Sequence, residues 1–86
     1  MRLKVIDIAE TSRRIRDQVA AKNLKASDIQ KRLHLQSIQG IYAWYSTKSK
    51  SLPSLEHLMQ LADILNCTME DMLVLKEVEI QEEEPS

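Results

Sequence analysis

Gln39, Gly40, Tyr42 and Ala43 sit within one short stretch, "QSIQGIYAWYS", and their types and spacing carry a recognisable chemistry. A glutamine amide presents a donor and an acceptor side by side, which matches the exposed edge of an adenine in the DNA major groove. That groove is about 12 Å wide and admits a helix only when the outward side chains are small enough to let its axis sink in. From Ile38 to Tyr45, a helical period of about 100° per residue gathers Ile38, Ile41, Tyr42, Trp44 and Tyr45 into one broad arc. Gln39, Gly40 and Ala43 are left on the opposite face, which is short, narrow and uncharged. Gly40 is the chain's only glycine and Trp44 its only tryptophan, and both tyrosines lie beside them. Ile41 and Trp44 therefore read as the side that holds this helix to a core. Tyr42 lies on the margin, open between packing its ring and reaching a phosphate with its hydroxyl.

Other chemistries find no matching residues. His34, His57 and Cys67 fit no zinc signature, for there is no second cysteine and no short histidine pair. No serine has an evident base partner and no glycine-rich phosphate loop exists, so neither an enzyme nor a metal or cofactor is expected. One cysteine excludes an internal disulfide and fits a reducing compartment. The amino terminus, "MRLKVIDIAE", has charges inside its apolar run and resembles neither a signal peptide nor a membrane span. A cytoplasmic protein without a membrane partner is expected.

A net charge of −1 argues against a nucleic-acid partner, but its distribution argues for one. Residues 1 to 50 hold eleven Lys or Arg against four Asp or Glu, a balance of +7. Residues 51 to 86 hold one Lys against nine acids, a balance of −8. The basic half can attract phosphates over a Debye length of about 8 to 10 Å although the whole molecule is nearly neutral.

The elements that must position the glutamine follow from pattern. At 86 residues there is room for one small domain, with few Gly and Pro and many Leu, Ile, Lys and Glu, a composition that favours helices. Alternation at Arg2 to Ile8 and again at Glu77 to Ile80 allows two short strands, which can pair with each other or with a second subunit. A first helix is expected to be capped by Thr11 or Ser12, to bury Ile15, Val19 and Ala20, and to end near Asn23. "ASDIQKRL" forms a second, with capping-box spacing between Ser27 and Gln30. Ser37 caps the third. After the polar loop "STKSKS", Ser54 caps a fourth helix expected to bury Leu55, Leu58, Met59, Leu61, Ala62 and Leu65, with Ile64 on the wet side as a contact for another chain. Thr68 caps a fifth, with Asp71 in its first turn. The acidic tail "EVEIQEEEPS" is expected to be mobile at its end.

Two short helices joined by a tight link suggest a helix-turn-helix. From about Ile15 to Leu73 the chain resembles the Cro/lambda-repressor-like (Xre) family, in particular the branch reading L-x-L-x-S-P-Q-A-I-Y-x-W, a short loop, L-P-S, a leucine-rich helix and a final capped D-x-L-L. Here those positions hold Ser37, Gln39, Ile41-Tyr42, Trp44, "LPS" and "TMEDML" in order. The resemblance implies a compact five-helix, all-α domain, with terminal strands allowed, whose third helix reads the major groove as a dimer on a two-fold operator. Carried over by position, it puts Ser37, Ile38, Gln39, Tyr42 and Ala43 against DNA, with Ile41 and Trp44 locking the helix to the core. The chain departs from the family at Lys25, where a Ser or Thr cap is usual, at Tyr45 and Thr47, where an acid and a glycine are usual, and at Ala43, often a Lys or Arg.

Phosphate contacts are expected from Arg13, Arg14, Lys25, Lys31, Lys48 and Lys50, which flank the reading helix in sequence. The domain plan is an extension at 1–10, a helix-turn-helix domain at 11–75 and an acidic tail at 76–86. The function expected is sequence-specific, nucleoid-associated transcriptional control, a repressor of bacterial or phage type with double-stranded DNA and a second copy as partners. With no room for an effector domain, control would come from concentration, dimerisation, a partner protein or degradation. The rival is an antitoxin or adaptor module that uses the same fold to hold a protein.

Overall fold

Alternation at the two ends of the chain becomes one antiparallel ribbon in the computed structural model, which describes residues 1–48 and 51–81. Strand β1 (Arg2–Ile6) pairs with β2 (Leu75–Glu79), Leu3 opposite Val78 and Ile6 opposite Leu75. Partners directly opposite share a face. Arg2 and Lys4 therefore line up with Glu79 and Glu77 on one side, and Leu3 and Val5 with Val78 and Lys76 on the other. Arg2 reaches Glu79 at 3.4 Å and Glu77 at 3.9 Å, and the terminal ammonium reaches Glu79 at 3.2 Å. The basic and acidic ends of the sequence are thus zipped together, and part of its charge asymmetry cancels in the ribbon. Lys50, and the mobile end expected at Glu82 to Ser86, lie outside the described residues.

Helix α1 (Ile8–Ala21) starts earlier than its expected caps. Asp7 holds the N-cap, its carboxylate accepting the Glu10 N–H at 3.2 Å, while Thr11 and Ser12 are buried within the helix. Thr11 is needed elsewhere: its hydroxyl accepts from the Val74 N–H at 3.0 Å, and the Val74 carbonyl takes the Asp7 N–H at 2.7 Å. This joint fixes where the ribbon leaves the helices. Ile15 and Val19 face the core as their spacing requires, but Ala20 is exposed.

Three helices end in the same way without glycine. Asn23 after α1, His34 after α2 (Ala26–Arg32) and Asn66 after α4 (Leu55–Leu65) adopt left-handed backbone, with φ of 57°, 55° and 54°. The next residue's N–H then turns back to a helix carbonyl: Leu24 to Val19, Leu35 to Gln30, Cys67 to Ala62. Asparagine tolerates this conformation better than most residues, and Leu24, Leu35 and Cys67 pack on the core as the closing apolar contact.

The core is aliphatic apart from Trp44, with Ile15, Val19, Ile29, Ile41, Leu58, Leu61, Ala62, Leu65 and Met72. On α4, capped by Ser54 as expected, the buried arc is rotated from its expected position. Leu55 and Met59, expected inside, are 76% and 51% exposed, whereas Ile64, expected to face solvent, is half-buried and packs on this chain's own core. Leu55 lies in the first turn and Met59 on the flank away from Leu58, Leu61 and Leu65, so neither is covered by the core those residues enter. Helix α5 (Met69–Met72) follows at once. Among the described residues no helix is long and apolar enough to cross a membrane.

Candidate nucleic-acid interface

The paired short helices are α2 and α3 (Gln39–Tyr45), which pack on each other while α3 also packs on α1. Lys25 occupies the α2 N-cap and brings no side-chain cap. Instead the Asp28 carboxylate accepts the Lys25 N–H at 2.8 Å, half of a capping box, and the cap expected at Ser27 is not used. Gln30 is likewise engaged elsewhere, its amide donating to the Leu35 carbonyl at 3.3 Å across the turn. That bond and the left-handed His34 set the angle at which the chain leaves α2.

Ser37 does serve the start of α3, one residue further out than an N-cap. Its hydroxyl accepts the Gln39 N–H at 3.1 Å, while Ile38 takes the N-cap position and its carbonyl receives the Ile41 N–H. α3 then separates into two sides. Ile41 and Trp44 are 0% and 7% exposed, and the indole lies 5.6 Å from the His57 ring of α4. Gln39 and Gly40 are exposed on the far side.

Tyr42 leaves the arc where the helical period put it. It is 55% exposed, and its ring meets Tyr45 edge-on at 6.5 Å. Tyr45 is the packed member of the pair; burial first, and the neighbouring Tyr42 second, push its phenol above the ordinary tyrosine value. Ile38 and Ala43 are half-buried, so the side presented to a partner consists of Ser37, Gln39, Gly40 and Tyr42, edged by Ala43 and Ile38.

The basic side chains divide by what already holds them. Arg13 pairs with Glu10 at 3.3 Å, and Arg14 donates to the carbonyls of Leu73 at 3.3 Å and Asp71 at 3.5 Å. With Gln18, which donates to Asp71 at 3.2 Å, Arg14 satisfies the carbonyls at the end of α5, where a cation also suits the helix dipole. Lys25, Lys31 and Lys48 are exposed and carry no ion pair among the described residues. Arg32, exposed beside Lys31 in the last turn of α2, shares that condition. The sequence pattern left it out because a charge list cannot separate engaged cations from free ones. Burial first, and Asp71 second, push the Cys67 thiol up, and it donates weakly to Gln18 at 3.7 Å.

A helix pair with a core-anchored second member, an uncharged outward face and free cations beside it is suited to duplex DNA. No curated protein and no solved structure matches the chain. A family model described as a Cro/C1-type HTH DNA-binding domain matches residues 14–77, a span that takes in α2, α3, α4 and α5 whole. The chain therefore belongs to the Cro/C1-type helix-turn-helix family of DNA-binding domains.

Proposed function

We propose that the chain is a sequence-specific transcriptional repressor of a bacterium, phage or mobile element, acting in the cytoplasm on nucleoid DNA. In this reading α3 enters the major groove. Gln39 offers its amide to an adenine edge, Ser37, Ile38, Tyr42 and Ala43 complete the base-facing surface, and Ile41 and Trp44 hold the helix in place. The observation that carries the proposal is the division of α3, in which Gln39 is presented on an uncharged side while Ile41 and Trp44 on the other side are buried.

Phosphate contacts come from Lys25, Lys31, Lys48 and Lys50, with Arg32 added. Arg13 and Arg14 remain in the set, but each must first give up the acceptors it now holds. Each phosphate neutralised makes the slope of log affinity against log salt more negative by about 0.9. Repression requires no further chemistry, since a protein bound on a promoter excludes other proteins from it. A homodimer supplies two reading helices about 34 Å apart, and the exposed Leu55, Met59, Ile6 and Leu75 are apolar surface available to a second copy.

Replacing Gln39 by Ala tests the central assignment. Specific affinity should fall by about 1 to 3 kcal/mol while nonspecific affinity and melting temperature stay nearly unchanged. Titration of selected and scrambled duplexes reads this directly, and an equal loss on both removes Gln39 as a reader. The same apolar side chains favour the second reading, an antitoxin or adaptor that holds a protein. Stable co-purification with a partner, and no salt-dependent binding to any duplex, would replace the repressor by that module.

A further inference from the structure

Beside the start of α4 the core opens to solvent through a hollow of about 160 Å³. Ile15 and Leu58, both buried, form its floor, and Ile6, Leu52 and Leu55 stand around its rim. Its one polar side chain is Thr11, whose hydroxyl is committed to Val74, donating to the carbonyl at 3.3 Å and accepting the N–H at 3.0 Å. No group in the hollow is left to bond a polar visitor. An apolar cavity of about 150 Å³ stays dry and takes up a molecule the size of benzene, so this hollow has room for one large aliphatic side chain.

The side chain that suits the hollow stands next to it. Leu55 is 76% exposed, Met59 follows one turn along α4 at 51%, and Ile6 lies opposite Leu75 where the ribbon meets the helices. Together these four expose on the order of 400 Å² of apolar surface, enough to mark a contact site and about half of what a standard interface takes from each partner. The chain's own tail has the wrong chemistry to cover it, since Glu82 to Ser86 are three acids, a proline and a serine. A second copy has the right chemistry. A two-fold axis beside Leu55 brings knob to hollow and hollow to knob at once, as an isologous interface requires. With a net charge of −1, two copies also meet without appreciable long-range repulsion. We propose that this face is the homodimer interface, each copy seating Leu55 in the hollow of the other. The inference rests on the homodimer of the proposed function and gives that dimer its contact.

Leu55→Glu tests this, because an exposed acid in the first turn suits the dipole of α4 and leaves the monomer folded. Sedimentation equilibrium on the full wild-type chain should show a monomer–dimer equilibrium in the micromolar range. Leu55→Glu should weaken it about a hundredfold or more, since two leucines leave the contact together. The wild-type melting temperature should climb with protein concentration and that of the variant should not, which separates a lost partner from a damaged fold. Leu55→Lys should be monomeric likewise. A one-to-one mixture of the two variants should associate about tenfold or more tightly than either alone, because position 55 meets its own counterpart across the axis. The inference is overturned if the mixture is no tighter than its parts, or if Leu55→Glu dimerises within about threefold of wild type. Either result keeps the dimer and moves its contact elsewhere. A wild type that stays monomeric to about 100 μM is a different result, removing the dimer and this contact with it. Leu55-dependent capture of another protein by such a monomer would give the hollow to that protein instead.

Discussion

α3 and α5 are both too short to stand alone, yet the chain supports them in opposite ways. α5 is closed at both ends by this molecule's own groups. Thr68 and Asp71 form a reciprocal capping box, with bonds of 3.0 Å and 3.2 Å, and Arg14 and Gln18 cover its last carbonyls. α3 has one hydroxyl, that of Ser37, at its start, no side-chain cap at Ile38, and a glycine in its first turn. A helix finished by its own chain serves the fold. α3 is anchored by its buried side and leaves Gln39 and Gly40 exposed on the other, the side that the proposed function gives to DNA.

If that contrast is right, the anchor side of α3 should be as indispensable as any core position. Trp44→Ala should lower stability by about 3 to 5 kcal/mol, a large share of what a small domain has. Thermal or urea denaturation followed by circular dichroism measures it. A loss below about 1 kcal/mol would break the comparison, because α3 would then be held by something other than its buried face.

Much of this arrangement was legible in the sequence, for stated reasons. Ile15, Val19, Ile29, Ile41 and Trp44 lie at helical spacings that leave little choice of inward face, and the structure buries all of them. Thr68 with Asp71 and Ser54 at the start of α4 are local signals, and each makes its bond within three residues. What escaped the sequence depends on partners far along the chain. Thr11 looks like a cap until Val74 arrives to claim its hydroxyl, and Asp7 takes the role instead. Periodicity places Leu55 and Met59 on an apolar stripe but cannot say which flank of that stripe finds neighbours. In the interface, Arg14 illustrates the limit: composition shows a cation, and only the fold shows that α5 carbonyls already hold it.

The turn before α3 sharpens the comparison with a smaller effect of opposite chemistry. His34 adopts a φ of 55°, a conformation in which glycine is at ease, and the only glycine sits six residues later where no such need exists. His34→Gly should therefore stabilise the domain by about 1 kcal/mol, offset in part by the added freedom of the unfolded chain. A rise of a few degrees in melting temperature with unchanged affinity for a selected duplex is expected. Lower affinity with higher stability would mean that the turn is tuned for the partner and not for the fold.

The smallest expected effect tests whether the α5 cap is as closed as its bonds suggest. The Thr68 N–H first, and its hydroxyl second, hold the Asp71 carboxyl below the ordinary aspartate range. A group whose value is depressed in the folded state contributes stability that is fully present above its unfolded value, about 3.9, and is lost as pH falls through the folded one. Asp71 is solvent-exposed, so the contribution is modest and screened. Asp71→Asn should melt slightly below wild type at neutral pH, and the gap should close in acid as wild type becomes protonated and loses the same charge-assisted bond. Melting curves between neutral pH and about pH 3 follow it. A gap that persists unchanged into acid would show that the cap works by shape rather than charge, and α5 would then differ less from α3 than its hydrogen bonds imply.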